Sequence, residues 1–366
     1  MVRTYVARGE TIAANSKTEG LDMTSTLHPQ LSHSTLVPRE HVHRDALSEV
    51  YLTDIICDRY PNFRIGVHLP KSHSYYSDHI GPAEHRYDPL LVLECFRQTS
   101  ILIAHRHVDV DFGQAFIFNS ADIRVISPEA MTITAKPGNG EVSAVIVGEK
   151  VRGDEVIGIT LEMECLLGGV AAAAVTMRIQ WMPRGIWTRV RNKGRARLGL
   201  GEYRTGIEPQ SGRGPRTARV VHPAETLGRR IIRNAVLGDA TTTAGGFEID
   251  VLVDQRHPSL FDHPLDHIPG AVLFEAIRQA GIFAAHEFHG LSARRLVLTS
   301  LRAEFTRFGE LDLHTVIRIR PVDGPDSGFT FEVEVLQEEE PITTGCVRLI
   351  RHVSDDARGV LVGGAR

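Results

Sequence analysis

The sequence predicts an α+β protein made of two tandem copies of one unit, a long buried helix followed by a run of antiparallel strands. Three observations carry this. LLVLECFRQTSILIAH (residues 90–105) and AVLFEAIRQAGIFAAH (residues 271–286) align without a gap. A strand-rich stretch follows each. A matching loop precedes each, HSYYSDH (73–79) and HPSLFDH (257–263). A single long helix wrapped by one curved antiparallel sheet is the hotdog arrangement, and two in one chain make a double hotdog.

Both helices carry Glu-x-x-Arg-Gln inside an otherwise apolar run, as Glu94, Arg97, Gln98 and Glu275, Arg278, Gln279. Positions i, i+3 and i+4 share a helix face. A helix that is greasy on its other faces is buried, and buried charge is costly unless it is paired. A plain intrahelical salt bridge would satisfy the geometry. The apolar surroundings favour a functional acid and guanidinium instead, because a buried ion pair is a weak source of stability. Gln98 and Gln279 suit hydrogen bonds to a loop or partner helix, with ligand contact as the second option.

In order along the chain, residues 1–45 read as an extended arm rich in Thr, Ser and His. The first unit spans 46–183. Its expected strands lie at 47–59, 63–70, 109–126, 130–138, 141–167 (two strands) and 169–182, with turns at Ser127-Pro128, Pro137-Gly138 and Arg152-Gly153-Asp154. Residues 184–244 read as a linker. They are rich in Arg and Gly through residue 219, and 223–239 suits a short helix or extended lead-in. The second unit, 245–353, repeats strand, loop, helix and at least four strands. A polar tail occupies 354–366.

The totals exclude several classes. The chain has 366 residues, is 42% hydrophobic and 23% charged, and its net charge is -4, which argues against nucleic acid and anionic membrane partners. The longest apolar run, 166–177, is too short to span a bilayer. The N-terminus lacks the apolar core of a signal peptide. Cys57, Cys95, Cys165 and Cys346 are scattered, which suits reduced thiols in the cytoplasm.

The loops supply further candidates. His79 and His263 each follow an Asp at the end of the loop, and histidine titrates nearest neutral pH. The alternative is loop ordering, the role expected for His73, His257 and His267. His105 and His286 suit helix C-termini. The His73, Asp78, His79 group lacks a familiar zinc spacing, so no metal and no cofactor is expected. Arg229 and Arg230 either add to an anion site or sit in an exposed loop.

HPSLFDHPLDHIPGAVLFEAIRQA (257–280) resembles the hotdog dehydratases of fatty acid synthesis, whose catalytic pair is a turn His and a helix acid. The matching positions are His263 with Glu275, and His79 with Glu94 in the first unit. Arg97 and Arg278 depart from that pattern by standing where the dehydratases have a neutral residue. An Arg beside the acid implies an anionic ligand. In single-domain hotdogs the His and acid come from different protomers, so His79 would face Glu275 and His263 would face Glu94. The closer dehydratase-like loop favours the site with Glu275 and Arg278.

With HVHRDALSEVYLTD (41–54), YYSDH (75–79) and the 257–280 stretch, the chain resembles the AfsA-type A-factor biosynthesis family over most of its length. The resemblance implies transfer of a β-ketoacyl group from acyl carrier protein to dihydroxyacetone phosphate, then ring closure to a phosphorylated butenolide. A carboxylate would take the hydroxyl proton, Arg would bind phosphate, and the apolar helix would hold the acyl chain. Two other readings stand beside it, a β-hydroxyacyl dehydratase and a non-catalytic ligand-binding regulator. A double hotdog can stand alone or pair into a homodimer.

Overall fold

The computed structural model describes residues 2–4, 29–203, 222–322 and 328–352. The first unit contains β2 (Leu52–Arg59), β3 (Asn62–Leu69), α1 (Pro89–His107), β4 (Gln114–Val125), β5 (Gly138–Arg152), β6 (Glu155–Leu167) and β7 (Val170–Pro183). Helix α2 (Arg184–Arg197) leads to the second unit. That unit has β8 (Leu237–Thr243), β9 (Gly246–Val251), α3 (Gly270–His289), β10 (Leu296–Phe305), β11 (Val316–Val322), β12 (Gly328–Gln337) and β13 (Glu340–Arg351). A three-residue strand, β1 (Val2–Thr4), pairs with β5.

The strands form one sheet in the order β2-β3-β5-β6-β7-β4-β10-β13-β12-β11-β9-β8. The first six positions and the last six mirror each other about the β4–β10 seam, where Ala121 faces Ala303 and Ile123 faces Leu301. The protein is therefore a double hotdog joined edge to edge. Every neighbouring pair in the sheet is antiparallel, and consecutive strands such as β5–β6 and β6–β7 are joined by short turns. Gly153 at φ +61° closes β5 onto β6, and Gly168 and Gly169 at +58° and +79° close β6 onto β7.

The alternating strands bury one face each. In β7, Ala173, Val175, Met177, Ile179 and Trp181 point inward and Thr176, Arg178 and Gln180 do not. Helix α1 is buried from Leu90 to Ala104 except at Arg97, and α3 is buried nearly as fully, as expected for a helix wrapped by a sheet. Asp88 caps α1 by accepting from the Leu90 amide at 2.8 Å, with Pro89 in the first turn. Gly290, at φ +64°, ends α3.

Four expectations are corrected. Residues 130–138 are not a strand; only Thr132 makes an isolated bridge, to Arg86, and the ladder begins at Gly138, after Pro137 and its missing N–H. Residues 184–197 form a helix, because Arg191 and Arg195 are buried against acidic side chains of the second unit. The lead-in at 223–239 holds two short 3-10 turns and the first residues of β8, so the second unit begins before residue 245. The arm is not free up to residue 45, since Val37 and Val42 join the core. Most of the arm (5–28), residues 204–221 with SGRGPR, and the tail from 353 lie outside the described residues. No helix among the described residues is long and apolar enough to cross a membrane.

Gly345 tests the sheet near the seam. A Cβ there would overlap the carbonyl oxygen of Arg302 on the adjacent strand, a backbone atom that cannot swing away. Gly345→Ala should cost about 1–3 kcal/mol, read as a lower urea midpoint with unchanged slope.

Candidate functional site

Each central helix is tied to the segment before the first strand of its unit by the same bonds. Gln98 Nε2 donates to the Glu49 carbonyl at 2.6 Å, and its Oε1 accepts from the Tyr51 amide at 3.0 Å. Gln279 does the same with Asn234 and Val236, at 2.7 and 2.9 Å. Both amides are sealed from solvent, so they hold the loop and are not substrate-binding groups.

The loops cross over. Asp262 of the second unit accepts from the Asp45 and Ala46 amides at 2.7 and 3.0 Å. Asp78 of the first accepts from the Arg230 and Ile231 amides, each at 3.1 Å. His73 bonds Glu49 at 3.1 Å, and His257 bonds Asn234 at 2.9 Å, the structural role expected of them.

The acids are then treated differently. Glu275 is fully buried. It accepts from Tyr75 Oη at 2.8 Å and Arg229 Nε at 2.9 Å, and also from Arg278 and Gln279. Arg278 turns its other nitrogen to Asp88 at 2.6 Å, and Asp88 holds His79 Nε2 at 2.9 Å. Burial alone would raise the Glu275 pKa, but Arg229 and Arg278 hold it below its usual range. Burial pushes the His79 imidazole down, toward the neutral form. The space left beside His79, Asp88 and Arg278 is about 50 Å³, room for a few waters. Arg229 is thus a buried partner of the acid and not an exposed-loop residue. Arg230 is about half exposed and pairs with Glu84. Neither faces the large cavity described next, so the structure gives neither a place in an anion site there.

Glu94 is held by Arg44 (Nε 3.0 Å), Arg97 (Nε 2.8 Å, Nη2 2.9 Å) and Gln98 (2.6 Å). Two substitutions open this copy. Ser259 stands where the other loop has Tyr75, and Pro269 caps α3 where Asp88 caps α1. Among the described residues no carboxylate besides Glu94 pairs with Arg97, whose side chain is 25% exposed against 4% for Arg278.

A cavity of about 670 Å³ lies in front of Arg97, between the two units and under α2. Its polar lining includes His43, Arg44, Glu94, Arg97, Arg184, His263 and His267; its apolar lining includes Leu93, Ile101, Phe116, Phe118 and Phe274. The sequence argument favoured Glu275, whereas the accessible copy is Glu94, Arg97 and His263. The reason is the plug of Tyr75 and Asp88.

The chemistry at the open end follows from the partners. Burial would raise Glu94, but Arg44 and Arg97 outweigh it and hold it at about 2. Its oxygens are occupied and it is a poor base, so it fixes two guanidinium groups instead of taking a proton. His263 Nδ1 lies 3.2 Å from Asp262 Oδ2. Burial would raise Asp262, but the His263 and backbone N–H bonds hold it at about 2. A carboxylate at Nδ1 leaves His263 Nε2 as the acceptor on the cavity side.

His43 was not among the residues singled out from the sequence. The Val110 carbonyl only accepts, so its 2.6 Å contact places the His105 proton on Nδ1. His105 Nε2 then accepts from His43 Nε2 at 2.9 Å, which leaves His43 Nδ1 bare. Burial, His105 and Arg97 push His43 down to about 3, so it stays neutral. Arg44, Arg184 and Trp187 were also missed. One signal for Arg44 was available: Arg44 precedes Glu49 at the spacing by which Arg229 precedes Asn234. Among the described residues no three His, Cys, Asp or Glu side chains converge to hold a metal.

The chain is thus a double hotdog with one large cavity lined by both charged and apolar side chains. The profile of the A-factor biosynthesis hotdog domain, AfsA, matches residues 26–183 and 210–351. The chain belongs to that family. The 2-oxo-3-(phosphooxy)propyl 3-oxoalkanoate synthase of Streptomyces virginiae is 31% identical over 81% of this chain and 90% of its own length. Proteins of the same name from Streptomyces coelicolor and Streptomyces griseus are 26% and 29% identical, over 80% and 74% of this chain and 85% and 81% of theirs. This is a family of acyl-transferring enzymes.

Glu275→Gln should destabilise the fold by about 3–5 kcal/mol, since it strips a buried carboxylate from two guanidinium groups; Glu94→Gln should cost less because water reaches Arg97. The Glu94 contribution should be present above pH 4.5 and fade as pH falls toward about 2. Urea unfolding of both variants across that window checks the order and the sign.

Proposed function

We propose that the chain condenses a β-ketoacyl thioester with dihydroxyacetone phosphate, releasing the free thiol and a 2-oxo-3-(phosphooxy)propyl 3-oxoalkanoate. The observation that carries this reading is a cavity of about 670 Å³ lined by guanidinium and imidazole groups together with aliphatic and aromatic side chains. A phosphorylated alcohol and a long acyl chain need those two environments next to each other. The names of the relatives describe the same product class.

Arg97 and Arg184 offer cations to the phosphate. The acyl chain lies along Leu93, Ile101, Phe116 and Phe118. His263 Nε2 takes the proton of the attacking hydroxyl, and Asp262 stabilises the imidazolium that forms. The alkoxide oxygen bonds to the thioester carbon, the carbon–sulfur bond breaks, and the thiolate recovers the proton from His263. His43 has no carboxylate partner and stands among cations, so it contributes a hydrogen-bond acceptor and not a base. The product keeps an acidic methylene between two carbonyls. Its attack on the ketone of the acceptor, followed by loss of water, closes a phosphorylated butenolide. The donor is an acyl group on a carrier protein, and the reaction takes place in the cytoplasm.

Purified protein given a β-ketoacyl thioester and dihydroxyacetone phosphate should yield the phosphorylated ester or its butenolide, detected by mass spectrometry. No product from either a carrier-protein or a small-thiol donor overturns the reading. Dehydration of a 3-hydroxyacyl thioester without any phosphate substrate would move the protein to the dehydratases. Product formation untouched by substitution at the site would favour a binding role. His263→Ala should lower kcat by about 10²–10⁴-fold, and Arg97→Ala should chiefly raise KM for the phosphorylated acceptor.

A further inference from the structure

Helix α2 carries Arg184, Arg189, Arg191, Lys193, Arg195 and Arg197 and no acidic residue. Its cations divide by face. Arg191 and Arg195 point inward and are 3% and 2% exposed. Arg191 pairs with Glu310 at 2.6 Å and Asp266 at 3.1 Å; Arg195 pairs with Glu310 at 2.6 Å and Asp312 at 2.7 Å. These pairs clamp the helix onto the second unit. Trp187, Thr188 and Asn192 line the cavity.

The outward face is different. Arg189, Lys193 and Arg197 recur at i, i+4 and i+8, so they form one stripe. All are exposed, and none has an ion pair or hydrogen bond among the described residues. Val190, 42% exposed, sits beside the stripe.

Of the stripe only Arg197, in the last turn, is favoured by the helix dipole. Like charges four residues apart destabilise a helix by about 0.2–0.5 kcal/mol per pair. Gly185 and Gly194 lower the propensity of this helix further. The inward pairs hold the helix without help from the outward cations. The chain as a whole has a net charge of -4, so the stripe is a local exception and not a general basic character.

Position supplies the rest. The helix whose inner face roofs the cavity carries the stripe on its outer face, so a partner seated there rests at the cavity. We propose that the outer face of α2 is the docking surface for an acidic carrier protein, which lays a negatively charged surface on Arg189, Lys193 and Arg197 and passes its thioester arm under the helix. This rests on the acyl-transfer reading of the cavity and adds the partner surface to it. Complementary charge at such a rim speeds encounter and sets partner choice more than it changes the chemistry.

The test uses the full chain with Arg189→Glu, Lys193→Glu and Arg197→Glu combined, and one β-ketoacyl group on three donors: an acidic carrier protein, pantetheine and coenzyme A. The expected result is a rise in KM for the carrier-bound donor of about tenfold or more, equivalent to about 1.4 kcal/mol. Pantetheine kinetics should not change, and the wild-type KM for the carrier should rise with salt. Unchanged carrier kinetics overturn the proposal. So does a loss confined to the coenzyme A donor, which would mean that the stripe reads nucleotide phosphates. An equal loss with pantetheine would mean that the substitutions disturb the cavity, and Arg197→Glu alone, at the end of the helix, would then be read the same way. The two readings fail separately. Pantetheine kinetics report on the chemistry without docking, and titration of unloaded carrier onto wild type and variant reports on docking without chemistry.

Discussion

The structure depends on a carboxylate held between two guanidinium groups and an amide in the core of each unit. Glu94 with Arg44, Arg97 and Gln98, and Glu275 with Arg229, Arg278 and Gln279, join each central helix to the segment that enters its first strand. Buried charge of this kind survives only where nearly every donor is answered. The requirement fixes the segments before β2 and β8 against the helices, and the Asp78 and Asp262 bonds then lock each loop to the opposite unit.

From this common frame the copies diverge by a few side chains. Tyr75 and Asp88 complete the cluster at α3 and fill its space. Ser259 and Pro269 take those places at α1, and the guanidinium of Arg97 is left facing a cavity. One copy is filled by its neighbours and the other opens on the large cavity. The division explains how a pair of like sites can retain the same acid, Arg and Gln while only one is accessible.

Much was legible because it was periodic or repeated. The duplicated helix, the strand alternation and the His–Asp–His loops specify a double hotdog, and Glu94, Arg97 and His263 stand out as polar residues in or beside apolar runs. Helix α2 was not legible. Its glycines and like charges read as a loop, and its fold comes from Glu310 and Asp312, more than a hundred residues away. His43 was hidden in a polar arm, and its role depends on His105 and the Val110 carbonyl behind it. Arg229 looked like loop charge because its partner, Glu275, is distant in sequence.

What the sequence alone determined is the architecture and a buried acid–Arg–Gln face in each half, since hydrophobic period and that repeated face are local properties of the chain. Which copy is open was decided only in the tertiary structure. Tyr75 and Asp88 act on Glu275 and Arg278 across the interface between units. Whether a buried charge is plugged or exposed depends on groups brought together by folding, and no spacing within either repeat records them.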